Sequence, residues 1–294
     1  GSIAVFMFAY NLQAVPLAII GASYSVAAFP TLAAAISNGQ REQFIQHVAI
    51  AARYVFFWTI PASALILVLR AYIVRVILGS GAFDWTDTRL TAAAFAILSL
   101  SLVAQGVQLL LVRGYYAAGR TLLPLITSLM VMLATLGIAM ISLNALRDPS
   151  LLHSVGALMR VEDVSGVRVL ALAFAYAVSS IGGTIFMAIH FERSFGGFFA
   201  QTRRAFAESF AAAMLGGAAA YIALSLFSPL FPSTATLSVF ALGLIGGICG
   251  IAATALAYYA FGSKEYIETF ASVRARMWRR ANIEGVPPIT SAEQ

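Results

Sequence analysis

Few residues inside the apolar segments of this chain could do chemistry. They are Asn11, Gln13, Tyr24, Gln105, Gln108 and Asn144. All are neutral, so hydrogen bonding is the chemistry they offer. Gln105 and Gln108 are three apart and share one helix face. Two uses fit that spacing: bonds to a neighbouring helix, or the lining of a polar cavity. Arg53 and Phe57, four apart, also share a face. The centres of the apolar segments hold no carboxylate of the kind ion-coupled pumps keep in the bilayer. Catalysis has no support: the sequence shows no Ser/His/Asp set, paired carboxylates or Gly-rich phosphate loop. The single cysteine, Cys249, cannot form a disulfide within the chain. His47, His153 and His190 lack ligand spacing, and no metal or other cofactor is expected.

The elements that carry these residues are long and apolar. Seven stretches run at about 16–37, 48–69, 88–112, 121–146, 168–190, 206–228 and 236–261. Each reaches the roughly 20 residues that a helix needs to cross a bilayer core. Composition agrees, with 61% hydrophobic and 10% charged residues; a soluble domain would carry about 25% charge. Lipid leaves backbone polar groups unsatisfied, so helices are the natural spanning element. The expected fold is all-α, a polytopic transmembrane bundle over 1–262, followed by a basic tail over 263–294. Residues 3–15 form an apolar run too short to span, and Pro16 should break or kink it. This run reads as half of a spanning helix, and the chain as the C-terminal part of a longer membrane protein.

Charge orients the bundle. The first, third and fifth loops and the tail hold twelve Lys and Arg residues, and the opposite side holds six. By the positive-inside rule the C-terminus is cytoplasmic, and the loops around Asp84/Asp87 and Glu162/Asp163 lie outside. The net charge of +6 is therefore topological; no basic stripe with interleaved aromatics suggests nucleic acid. Asp87, just before Thr88, is placed to cap the next helix. Residues 147–168 form an amphipathic outer excursion. Gly243/Gly247, Gly246/Gly250, Gly182-Gly183 and Gly216-Gly217 suit close helix packing. The tail segment Arg274-Ala-Arg276-Met-Trp278-Arg279-Arg280 suits either a topology anchor or contact with anionic headgroups. Gly285 to Gln294 reads as disordered.

Three stretches in order carry a resemblance. The first is Pro16-Leu-Ala-Ile-Ile-Gly21 onward to Phe29-Pro30-Thr31-Leu32. The second is Gly81-Ala82-Phe83-Asp84-Trp85-Thr86-Asp87-Thr88. The third is Arg113-Gly-Tyr115-Tyr116-Ala-Ala-Gly-Arg120-Thr121-Leu-Leu-Pro124. With Arg53 before Pro61 between them, they resemble the MurJ/MviN family of lipid II flippases, within the multidrug/oligosaccharidyl-lipid/polysaccharide exporter superfamily. The match covers about 1–125, and beyond it rests mainly on helix number.

The resemblance implies the C-terminal lobe of a fourteen-helix transporter of the bacterial inner membrane, from the end of helix seven to helix fourteen. Its implied activity is alternating-access transfer of a polyprenyl-pyrophosphate-linked peptidoglycan precursor from inner to outer leaflet. Membrane lipids and the missing N-terminal lobe would be partners, and the last two spans would form a groove for the lipid tail. On this reading Asn11 and Gln13 are polar cavity contacts. Arg53 and Arg113 contact phosphate or headgroup at the inner face, and Gln105 and Gln108 are further candidates to face the cavity. The chain departs from the family at Asn11, where an arginine is usual, and at Arg120, where the turn usually has Asp. Those departures leave two alternatives: a degenerate, non-transporting scaffold for envelope assembly, or a related polysaccharide-lipid exporter.

Overall fold

The computed structural model describes residues 2–79, 83–162, 164, 166–231 and 236–283, and among them no strand occurs. Six helical runs are long and apolar enough to cross a membrane. A bent pair brings the number to seven, in agreement with the seven stretches of the sequence.

The first run departs from expectation. Helix α1 (Ser2–Pro16) passes through a π-helical stretch (Leu17–Ala22) straight into α2 (Ser23–Ser37). Pro16 keeps helical dihedrals, φ −63° and ψ −32°. Proline lacks the N–H that would bond the carbonyl four residues back. A wider π turn absorbs that mismatch without ending the helix. Ile3–Ser37 is therefore one candidate span of 35 residues, in which α1 runs on through Pro16 instead of ending there. Gly21, inside the π stretch, meets Gly106 so closely that an added Cβ would lie 3.0 Å from the Gly106 Cα.

The third expected span also differs. Helix α4 (Trp85–Ser99) and helix α5 (Leu102–Ala117) meet at a bend of 44°. Around the bend the Ser99 and Ser101 hydroxyls donate to the carbonyls of Ala96 and Leu98. Such back-bonding competes with the helical ladder. At the start of α4 the cap is Asp84, whose carboxylate accepts from the Asp87 N–H at 2.7 Å. Asp87 sits one turn inside, so the capping role moves three residues back from the one expected. Gly81 and Ala82 of the same loop lie outside the described residues.

Helix α3 (Arg41–Leu78) is the axis of the bundle, packed against α2, α4, α5, α9 (Phe198–Phe227) and α10 (Thr236–Phe261). Small residues let α9 and α10 touch. A Cβ on Gly216 would stand 2.9 Å from the Gly250 carbonyl, and one on Gly250 would stand 3.1 Å from the Gly216 carbonyl. By contrast a Cβ on Gly182 would meet no other described group within 4 Å. Helix α6 (Leu122–Ala145) packs mainly on α8 (Leu170–Phe195), with Leu133, Leu136, Met140 and Ile141 exposed, as a lipid-facing helix would be.

Residues 147–168 contain helix α7 (Pro149–Met159). Asp148 caps it by accepting from the Ser150 N–H at 3.0 Å, and Arg160 ends it in the left-handed region. Its Leu152, Val155 and Met159 pack on a core that includes Val161, Val164 and Val167, while Leu151 and Leu158 stay exposed. The tail is helical as far as Ile283, forming α11 (Lys264–Ile283). The expected disorder of Gly285 to Gln294 concerns residues outside the described ones.

Candidate functional site

The bend between α4 and α5 gathers the polar residues of the bundle interior. Breaking a helix inside hydrocarbon frees backbone carbonyls that water cannot reach. The Leu98 carbonyl accepts from the Ser101 N–H at 3.0 Å and the Ser101 hydroxyl at 2.7 Å, and Gln13, 1% exposed, adds a bond from Nε2 at 3.0 Å. The same Nε2 lies 3.3 Å from Ser101 Oγ. Gln105 Nε2 donates to that Oγ at 2.8 Å, and Gln105 Oε1 accepts from the Tyr176 hydroxyl at 3.2 Å. Tyr10 stands edge-on to Tyr176, with ring centroids 5.5 Å apart. One polar string thus ties α1, the bend and α8.

Gln13 is thus buried in this structure, with its amide committed to the bend. Gln105 makes an interhelical bond, to Tyr176 of α8. Gln108 is half-buried, with Thr184 Oγ1 of α8 at 3.4 Å from its Oε1. Asn11 is exposed, one turn from this string, and has no hydrogen bond among the described residues.

The arginine-rich end is built differently. Arg53 Nε is paired with Glu265 of α11, whose carboxylate is 3% exposed and also accepts from Ser263 Oγ at 3.0 Å. Next to it the Tyr54 hydroxyl donates to Glu268 at 2.5 Å. The Tyr54 ring stacks on Tyr24 at 5.5 Å, and Trp58 Nε1 donates to the Tyr24 hydroxyl at 3.0 Å. Arg113 is half-buried and makes no hydrogen bond or ion pair among the described residues. The turn from α8 to α9 is pinned from two sides. Arg41 donates to the carbonyls of Ser194 and Phe195, and Glu192 accepts from the N–H groups of Gly197 and Phe199. His190, near the end of α8, shares a 2.9 Å hydrogen bond with the Tyr115 hydroxyl. Arg120 lies over the Phe195 ring at 5.2 Å.

The six residues singled out from the sequence thus fall into separate places. Gln13 and Gln105 meet through Ser101, Gln108 joins α8, and Asn11 faces outward. Arg53 is occupied by Glu265, and Arg113 stands apart. Sequence reasoning missed Ser101, Tyr176, Thr184, Tyr54 and Glu265. A signal existed for Glu265: it is the first carboxylate after the last span, two residues past a serine. A cavity of about 770 Å³ opens at the other end of the bundle, lined by Ile3, Leu143, Leu152, His153, Glu162 and Arg168 among others. It contains none of the six. Among the described residues no cluster of three His, Cys, Asp or Glu could hold a metal ion.

The sequence model of the family described as "Lipid II flippase MurJ" matches residues 1–242. The chain belongs to the MurJ family. The match extends well past residue 125, into the part where the resemblance rested mainly on helix number. A probable lipid II flippase MurJ of Rhizobium meliloti (strain 1021) is 28% identical over 266 residues, 89% of this chain and 45% of that protein. Another, from Rhizobium tropici, is 29% identical over 125 residues, covering 42% of this chain and 24% of its own length. A solved lipid II flippase MurJ in the inward closed conformation superposes with a TM-score of 0.64 at 18% identity, over 88% of this chain and 48% of that one. The chain spans less than half the length of these MurJ relatives. Its fold is that of a MurJ helical bundle, a membrane transporter architecture.

Proposed function

We propose that this chain is the C-terminal lobe of a flippase that moves a polyprenyl-pyrophosphate-linked peptidoglycan precursor, lipid II, from the inner to the outer leaflet. Membership of the MurJ family over most of the chain carries this reading. In it, the lobe works in the bacterial inner membrane and rocks against a first lobe supplied by the remaining sequence. The arginine-rich end, with α11, faces the cytoplasm, as the charge bias suggests.

The contacts to the substrate are narrower than the sequence suggested. Asn11 and Arg113 are accessible and uncommitted, so they are the side chains offered to a sugar or pyrophosphate. Arginine suits that task because it stays charged and binds phosphate through a planar fork. Arg53 can serve only by exchanging Glu265 for phosphate, which couples headgroup capture to release of α11. Gln13 and Gln105 act by holding the bend that shapes the lobe, and Gln108 by tying α5 to α8. A scaffold role without transport is favoured by one observation, the neutral Asn11 where the family usually carries a charge.

The test is a lipid II transport assay on the whole protein reconstituted in vesicles. Loss of Arg113 should lower transport about tenfold, the worth of one charge-assisted contact of about 1.5 kcal/mol. Asn11→Arg should raise headgroup binding. Full transport by Arg113→Ala would remove that residue from the site. No transport by the unaltered protein would favour the scaffold.

A further inference from the structure

Helix α3 leaves its apolar stretch at about residue 69, and the next residue is Arg70. At the rise of a helix, Arg70 lies about 25 Å along α3 from Arg53 and the junction with α11. It is half-buried, and its Nη1 donates to the Leu67 carbonyl at 2.8 Å. Leu67, one turn before it, is 37% exposed.

The end of α7 brings a second arginine to this place. Among the described residues Arg160 is the one residue other than glycine with a positive φ, at 60°. That conformation usually falls to glycine or asparagine, so an arginine held in it points to a use for its side chain. Two anchors fix it. Arg89 Nε of α4 donates to the Arg160 carbonyl at 3.1 Å, and Val161, fully buried, shares a core with Val74 of α3. The Arg160 side chain is exposed, and its charge bears on that of Arg70. Among the described residues neither guanidinium forms an ion pair, and that of Arg160 donates no hydrogen bond. Arg75 differs: it donates to the Phe83 carbonyl at 3.3 Å and lies over the Trp85 ring.

Like charges held together without a carboxylate leave a place for an anion. Arg70 directly follows an apolar stretch, which sets it at the level of lipid headgroups. We propose that Arg70 and Arg160 form a binding site for the phosphate of an anionic phospholipid, in the leaflet away from α11. The planar fork of a guanidinium suits a phosphate, and the exposed Leu67 offers apolar surface to the acyl chain. Each arginine strengthens the hold on an anionic lipid about fivefold. The attraction weakens with salt as screening shortens its reach. The site uses neither Asn11 nor Arg113, so it stands whether or not the chain handles lipid II.

The test uses the full chain in phosphatidylcholine vesicles, with Cys249→Ser and a fluorophore on Ala157→Cys, an exposed position of α7. Dilute spin-labelled phosphatidylglycerol is compared with spin-labelled phosphatidylcholine as the quencher. At low salt phosphatidylglycerol should quench at about one-fifth of the concentration that phosphatidylcholine needs, or less. Arg160→Asn suits the left-handed backbone and leaves the carbonyl that Arg89 holds, so the fold is kept; it should remove most of this preference. Arg70→Gln should do the same, and Arg70→Lys should keep part of it. A fluorophore on Met140→Cys, exposed on α6, should show no such preference. Inorganic phosphate, compared with chloride at equal ionic strength, should leave the preference in place. Equal quenching by the two lipids, an unchanged preference in Arg160→Asn, or the same preference at Met140 overturns the proposal. Loss of the preference to inorganic phosphate also overturns it, because the site would then belong to a soluble anion.

Discussion

The bend between α4 and α5 and the junction between α3 and α11 are both polar contacts between helices, yet they use different chemistry. The bend is neutral throughout: Gln13, Ser101, Gln105 and Tyr176. The junction contains a charged pair, Arg53 with Glu265, beside the Tyr54–Glu268 hydrogen bond. Neutral amides fit the interior because an uncompensated charge in hydrocarbon costs several kcal/mol. An ion pair fits the end of the bundle, where Arg53 keeps 26% of its side chain in contact with solvent. The amides tie α1 and α8 to the bend of a span, and the ion pair ties α11 to α3.

The largest break in this contrast should come from Arg53→Ala. It leaves Glu265 buried and unpaired, at a cost of about 3 kcal/mol. Proteolysis after Ser263 should speed up, and the double variant Arg53→Ala/Glu265→Ala should recover part of the loss. Full additivity in that cycle would mean that the two side chains do not interact.

Gly21→Ala tests the bend from its other side. The new methyl would meet the Gly106 Cα at 3.0 Å, where backbone and not a flexible tip must yield. Overpacking of this kind costs about 2 kcal/mol, read as a lower midpoint of thermal unfolding in detergent. A midpoint equal to that of the unaltered chain would show that the π stretch can move aside.

Gln105→Leu should cost about 1 kcal/mol, the usual worth of an interhelical hydrogen bond in a membrane. It should leave α11 protected from protease. If α11 becomes exposed as well, the two regions are coupled and the contrast drawn above fails.

The smallest effect belongs to Asp148. The backbone N–H and the hydroxyl of Ser150 hold its carboxyl below the ordinary carboxylate range. The stabilisation of the α7 N-terminus is therefore present above the usual Asp pKa and is lost as pH falls through the depressed value. Amide exchange in the first turn of α7 should quicken in acid, and Asp148→Asn should flatten that response. Neither the bend nor the junction should respond to the Asn change.

Much of the fold is legible in the residues alone. A run such as 236–261 is apolar on every face, so one solvent suits it whatever its neighbours are. Gly246 and Gly250, four apart, announce a close crossing before any partner is known, and Gly250 does meet Gly216. The candidate site was less legible. Gln105 carries the same sequence signal whether it bonds another helix or lines a cavity, since both uses need a polar group on one face.

The sequence by itself determined the class of the protein: an all-helical membrane bundle of the MurJ family, with seven spans and one arginine-rich side. Hydropathy, length and charge are local properties, summed over about 20 residues, and need no contact to be read. The tertiary structure decided whether Pro16 breaks a helix, where the third span bends, and what each polar side chain holds. Gln13 finds Leu98 85 residues away, and Arg53 finds Glu265 212 residues away. No local pattern encodes such pairings, because they depend on which helix faces which and on where a span bends.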